Sequence, residues 1–192
     1  KLFIRNSDSI EFITPEGNFF YLTYKINNNL IVLDVGVGLK LLTDTTYLFI
    51  EGSQRFKNDR IESILVDSEN KLTFILRNGK IYRADIVFLP NPALINFREV
   101  ALKINSPQNL GVYCAYQVSD TLIAIGTTQK GLFLIDTCGT IHLNLNMNNQ
   151  LLSDAIHSIH YTHDGVLWLA QDMVISCVEL ASDIQYWDYS LG

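Results

Sequence analysis

Three histidines packed into one short stretch, His157, His160 and His163, are the first place to look for metal chemistry in this chain of 192 residues. Imidazole nitrogens are common zinc and copper ligands. The stretch Ile156-His157-Ser158-Ile159-His160-Tyr161 alternates as a strand does, however, and successive strand side chains leave on opposite faces. His157 and His160 then diverge and could share an ion only across a bulge, and His163 falls in a turn. They read as strand and turn residues without a metal, as does His142 on an outer strand. Nucleophilic chemistry has no better footing, because no G-x-S-x-G occurs. Asp34, Asp85 and Asp136 sit in or just after strands, where short carboxylates brace turns rather than form an acid–base pair. Cys114, Cys138 and Cys177 are odd in number and form no CxxC, so free and mostly buried thiols are expected. No cofactor is implied.

What remains is a set of polar residues whose use depends on the elements that hold them. Charged residues make up only 18% of the chain and β-branched and aromatic residues abound, which favours strands. The net charge of −6 gives no basic face for nucleic acid. Apolar runs are broken by residues such as Asp34, Lys40 and Arg98 well before the roughly 20 residues that span a bilayer. Three strands with tight turns are most legible at Leu151–Leu180: Ile156–Tyr161, Val166–Ala170 and Val174–Leu180. Asp164-Gly165 in the first turn is read as supplying the positive φ angles of a two-residue hairpin loop.

That unit recurs. Phe19–Ile26, LIVLDV (30–35), LKLLTD (39–44) and TYLFIEG (46–52) match GVYCAYQV (111–118), TLIAIGT (121–127), LFLIDT (132–137) and TIHLNLN (140–146). Aligning Leu30 with Leu122 sets them 92 residues apart, two units of 46. IESILVD (61–67), KLTFIL (71–76), KIYRAD (80–85) and INFREVAL (95–102) form the unit between, with Ile61 lying 95 residues before Ile156. Residues 1–14 form two strands around Ser7-Asp8 and look like 174–189, where two strands flank Ser182-Asp183.

Units of about 46 residues with four strands each are the signature of a β-propeller. The fold expected is therefore all-β: about four four-stranded antiparallel blades at 18–52, 61–102, 111–146 and 156–189, after a half blade at 1–14. Nearly continuous apolar runs such as TLIAIGT fit strands packed on both faces. Tyr21, Tyr24, Tyr113 and Tyr116 alternate on innermost strands, facing neighbouring blades or the channel. Trp168 is expected to be buried between sheets, and Trp187 to pack on an outermost strand.

Propeller geometry gathers two kinds of loop on one face, those from an outermost strand to the next innermost strand and those from second to third strands. Arg60, Asn109 and Asp154 belong to the first kind, with Lys57, Asn58, Asn148 and Asn149 beside them. Arg77, Gln129 and Asp172 belong to the second, with Asn78, Lys130 and Gln171. Amides, guanidiniums and carboxylates so gathered suit a neutral polyol or sugar, so Arg60, Arg77, Asn109, Gln129, Asp154 and Asp172 are the candidate ligand-binding residues.

The sharpest unit also carries a resemblance. Leu152-Ser153, Ile156 and Ile159, Asp164-Gly165 and Leu167-Trp168-Leu169 resemble the two-component-regulator propeller repeat. That family continues with Gly-Thr and then Gly-Leu, where this unit has Ala170-Gln171 and Met173-Val174. The preceding unit supplies both, as Gly126-Thr127 and Gly131-Leu132, and the first keeps Gly38-Leu39. The resemblance implies a segment of a larger, seven-bladed propeller in the periplasmic sensor of a hybrid histidine kinase. It also implies a small-molecule or oligosaccharide ligand and no catalysis by this chain. Two other classes remain: a propeller lyase or hydrolase acting on a polysaccharide or lactone, which would need His and carboxylates clustered on the loop face, and an interaction scaffold, which would show a broad apolar patch. A chain starting at Lys1 and ending in what reads as a further lead-in is expected to be an excised or mature piece. As an open arc it would self-associate through its uncovered blade faces.

Overall fold

A computed structural model describes residues 2–5, 10–43, 46–103 and 109–180. Strands β1 (Leu2–Arg5) and β2 (Ile10–Ile13) pair antiparallel as a two-stranded sheet. A first four-stranded sheet follows, β3 (Phe20–Ile26), β4 (Asn29–Asp34), β5 (Gly38–Leu42) and β6 (Tyr47–Phe49), in sequence order. The second consists of β7 (Ile61–Val66), β8 (Lys71–Leu76), β9 (Ile81–Val87) and β10 (Ala93–Val100). The third consists of β11 (Val112–Gln117), β12 (Leu122–Thr127), β13 (Leu132–Asp136) and β14 (Ile141–Leu145). The fourth shows β15 (Ile156–Tyr161), β16 (Val166–Gln171) and β17 (Ile175–Glu179). Its expected outermost strand at 184–189, with Trp187, lies outside the described residues. Among the described residues the one helical element is a single 3-10 turn, Ser53–Phe56. The architecture is an all-β propeller.

Alternation explains why its strands are apolar on both faces. In β8, Leu72, Phe74 and Leu76 pack toward the first sheet, whereas Ile75 packs toward the third. In β12 and β13, Ile123, Ile125, Phe133 and Ile135 face the second sheet, and Ala124, Leu132 and Leu134 face the fourth. Three apolar layers thus lie between four sheets, and the innermost strand β11 runs between β7 and β15. The core is a stack, not a single centre.

Register corrects the repeat alignment. Leu33 pairs with Leu39 as Gly126 pairs with Leu132, which places the first and third units 93 residues apart and makes Leu30 the equivalent of Ile123. A slip of one residue matters because it exchanges the two faces of a strand. The second and fourth units keep the spacing of 95, since Ile61 pairs with Leu76 as Ile156 does with Gln171.

That register also explains Trp168, which is 46% exposed rather than buried. Leu167 and Leu169 on either side of it are fully buried against the third sheet, so Trp168 must leave on the opposite face. Its equivalents Ile31, Thr73 and Ala124 face the following sheet and are buried by it. Among the described residues no further sheet covers that face of the fourth sheet.

The β15–β16 turn also differs from the two-residue loop expected. The Thr162 N–H donates to Val166 O at 2.9 Å, which leaves a three-residue loop with its one positive φ at Gly165. The same bonding closes 67–71, 76–80 and 136–140, so the loop recurs through the repeat. The thiols are corrected too: Cys138 and Cys177 are exposed, and Cys114 alone lies between sheets.

Candidate functional site

Buried polar residues at one repeated position tie loops to three of the four sheets, the second sheet having Leu76 there. Asp34, Thr127 and Gln171, which end equivalent strands, are all buried. The Asp34 carboxylate accepts the Glu16 and Gly17 N–H groups at 2.9 and 3.1 Å. Thr127 Oγ1 accepts the Lys130 N–H at 2.8 Å and donates to Gly131 O at 2.9 Å. Gln171 Nε2 donates to Ser153 O, and its Oε1 accepts from Ser176. The segments leading into β3 and β15, and the loop after β12, are thereby fixed on one face of the propeller.

On that face, a cleft of about 330 Å³ opens where the first and second sheets meet. Phe19 and Tyr21 form its aromatic wall, edge to face with centroids 6.4 Å apart, and Phe19 is 52% exposed. Asn18 and Asn58 bring carboxamides, and Lys57, Asp59 and Arg60 bring charge. Gly36, at φ 96°, forms part of the lining, and its N–H donates to Lys57 O at 3.0 Å, which holds the Lys57–Arg60 segment against the first sheet.

Arg60 does not hang free. Its Nε lies 2.7 Å from Oε1 of Glu62, its Nη2 donates to the Tyr21 hydroxyl, and its guanidinium sits 4.6 Å above the Tyr21 ring. Arg77, from the β8–β9 loop, reaches the same Glu62 oxygen at 3.1 Å. The Tyr21 hydroxyl donates to the other oxygen at 3.2 Å. Glu62 is only 4% exposed, whereas the Arg60 and Arg77 side chains are 48% and 38% exposed. Two guanidiniums therefore stand on one buried carboxylate with their outer edges toward solvent. Burial first, and then the Glu62 charge, raise the Tyr21 phenol above its ordinary value. Tyr24, whose buried hydroxyl has no partner among the described residues, is raised by the same two causes.

The other candidates are placed differently. Gln129 and Asp154 border a second depression of about 530 Å³ with Lys103, Lys130 and Asn148. Asp154 spends its Oδ1 on the Met147 N–H at 2.7 Å. Asn109 Oδ1 accepts the Gly111 N–H at 3.0 Å, a local turn brace. Asp172 pairs with His157 at 2.7 Å and accepts from Ser153 at 3.3 Å, and the His157 hydrogen bond lowers its carboxyl below the usual range. Ser153 thus bonds the carboxylate and not the imidazole, so the three do not line up as nucleophile, base and orienting acid. A bulge does occur at His157, but His157 stacks edge-on to Tyr113 and His160 to Tyr116, each in its own place. Among the described residues no group of three His, Cys, Asp or Glu side chains could hold a metal ion. The Cys114 thiol is pushed up to about 12 by burial, which makes it a packing residue.

Sequence reasoning reached Lys57, Asn58, Arg60 and Arg77 because loop order in a propeller is legible. It missed Glu62, one of the alternating residues of an innermost strand. Phe19 and Asn18 were passed over as the run-in to a strand, and only the spacing of aromatic beside amide could have marked them.

No known family profile matches the chain, and no curated protein matches it significantly. Solved structures do. The extracellular domain of the one component system BT4673 from B. thetaiotaomicron superposes with a TM-score of 0.61 and 20% identity, over 87% of this chain and 24% of that one. That of the hybrid two component system BT3049 from the same organism gives 0.56 and 20% identity, over 81% and 20%. YCF48 from Cyanidioschyzon merolae gives 0.62 and 13% identity, over 85% and 51%. The chain spans about a quarter of the length of the first of these. At such identities the likeness is one of fold, and no helix among the described residues is long and apolar enough to cross a membrane.

Proposed function

We propose that this chain is part of the sensing propeller of a two-component signalling system, on the extracytoplasmic side of a membrane, and that it binds an oligosaccharide without transforming it. The observation that carries this reading is the cleft between the first and second sheets. An exposed aromatic wall, two carboxamides and an anchored guanidinium converge there. Sugar rings present C–H faces that stack on aromatic rings, and edges of paired hydroxyls that amides and guanidiniums bond from the side. The likeness of fold to extracellular domains of signalling systems supports the location and the role. Arg60 is the central contact, Arg77, Gln129 and Asp172 are outlying contacts of a long ligand on the same face, and Asn109 and Asp154 hold loops.

The test is calorimetric titration of the chain with a panel of neutral and acidic oligosaccharides. A saccharide that binds should bind Phe19→Ala about tenfold more weakly, the loss of one stacking face. Wild-type affinity in Phe19→Ala would move the site elsewhere. Failure of every saccharide, alongside capture of a protein partner, would favour an interaction scaffold.

A further inference from the structure

We propose that the ligand of this cleft carries a carboxylate, so that the saccharide recognised is a uronate-containing one and Arg60 is the anchor for its acid group. The proposal rests on the reading of the cleft as a saccharide site and adds the chemical class.

The chain as a whole is acidic, at −6. Around this cleft the balance reverses, because its charged lining residues are Lys57, Arg60 and Asp59, and Arg77 stands beside Arg60 on the buried Glu62. Glu62 is moreover buried beneath the two guanidiniums, so its charge is spent on holding them rather than offered to a ligand. A neutral sugar needs no such arrangement. A single amide or hydroxyl would bond its hydroxyl groups without the cost of burying a carboxylate.

Geometry then selects the group. Arg60 uses Nε on Glu62 and Nη2 on the Tyr21 hydroxyl and rests on the Tyr21 ring, so its plane is set before any ligand arrives. The donors left over lie on its half-exposed outer edge. A fixed guanidinium edge matches the two oxygens of a carboxylate and forms a short, charge-assisted pair. Lys57, whose ammonium has no partner among the described residues, adds a second positive charge on the same lining. Phe19, half-exposed beside them, would take the face of the ring that bears the acid group.

The experiment titrates the chain with trigalacturonate, trimannuronate and triguluronate, each against its carboxyl-reduced counterpart. At least one acidic trisaccharide should bind about tenfold or more tightly than its reduced form, and that advantage should shrink as salt rises. Arg60→Gln should abolish the advantage and Arg60→Lys should keep part of it. Lys57→Gln, which removes no contact within the protein, should weaken the acidic ligand alone and serves if Arg60→Gln does not fold. Equal binding of acidic and reduced forms would overturn the carboxylate while leaving the saccharide reading intact. So would binding of only neutral glycans from the wider panel. If no saccharide binds at all, both readings fall.

Discussion

At the scale of single residues, the first sheet buries an ion pair, at the cost of taking both charges out of water. Asp34 and Lys40 are both fully buried and lie 2.8 Å apart, with Glu16 3.0 Å from the same ammonium and the Tyr47 ring 3.8 Å away. Burial alone would lower the Lys40 value, but Asp34 and Glu16 outweigh it and the net shift is upward. A value raised on folding means stability that is fully present below the unfolded lysine value and lost as pH climbs through the folded one. Lys40→Met leaves Asp34 buried with only its two backbone donors, and should cost about 3–5 kcal/mol. Urea midpoints of both proteins from neutral to alkaline pH check this. The gap between them should narrow above about pH 10.4, the ordinary lysine value. A gap that stayed constant throughout the alkaline range would show that Lys40 is not the titrating partner.

At the scale of the element, one glycine shows why the repeat motif has its form. Gly126 is the next-to-last residue of β12, where a Cβ would sit 2.7 Å from both Cys114 Sγ and the Ile156 methyl of the next sheet. Its place in the Gly-Thr pair is therefore one of close approach between blades, and Thr127 beside it braces the loop to Gly131. Gly126→Ala should destabilise the fold by about 1–3 kcal/mol, and Gly126→Val by more, because the third and fourth sheets would be wedged apart. In Ala170, the equivalent residue of the fourth sheet, a methyl is carried without such a neighbour, since it leaves on the open face. Chemical denaturation of the two Gly126 variants decides the matter, and an unchanged midpoint in Gly126→Val would mean that the sheets are less tightly stacked than described.

At the scale of the molecule, the open face of the fourth sheet is the feature with the largest consequence. Trp168 at 46% exposure, Ile175 at 70% and Cys177 share it, and Met173 at 98% borders it. The same position in the other three sheets is buried by the next blade, so this face has the shape and chemistry of a blade surface. We propose that it drives self-association of the chain. Sedimentation velocity should show the mean mass rising with concentration, and Trp168→Lys should return the chain to monomer. A monomer at all concentrations in the wild type would end that proposal.

Period, strand order and loop order were legible in the amino-acid sequence because they are local. Four-residue to eight-residue apolar runs, separated by turn residues and repeated about every 46 positions, leave a propeller as the arrangement that buries both faces of each sheet. The recurring turns and the Gly126-Thr127 pair belong to the same local record, and so does the placement of Arg60 and Arg77 on two kinds of loop that share one face. Which face of a strand is covered is not local. Alternation assigns Leu167, Trp168 and Leu169 to two faces without saying which has a neighbour, and that is why Trp168 emerged exposed. The cleft is decided in the same way. Tyr21 and Glu62 are 41 residues apart and meet because neighbouring innermost strands run side by side, and Arg77 joins them from a loop 15 residues further on. Only the stacking of sheets brings a phenol, two guanidiniums and a carboxylate to one point, because that contact depends on distances across the fold which no run of residues encodes by itself.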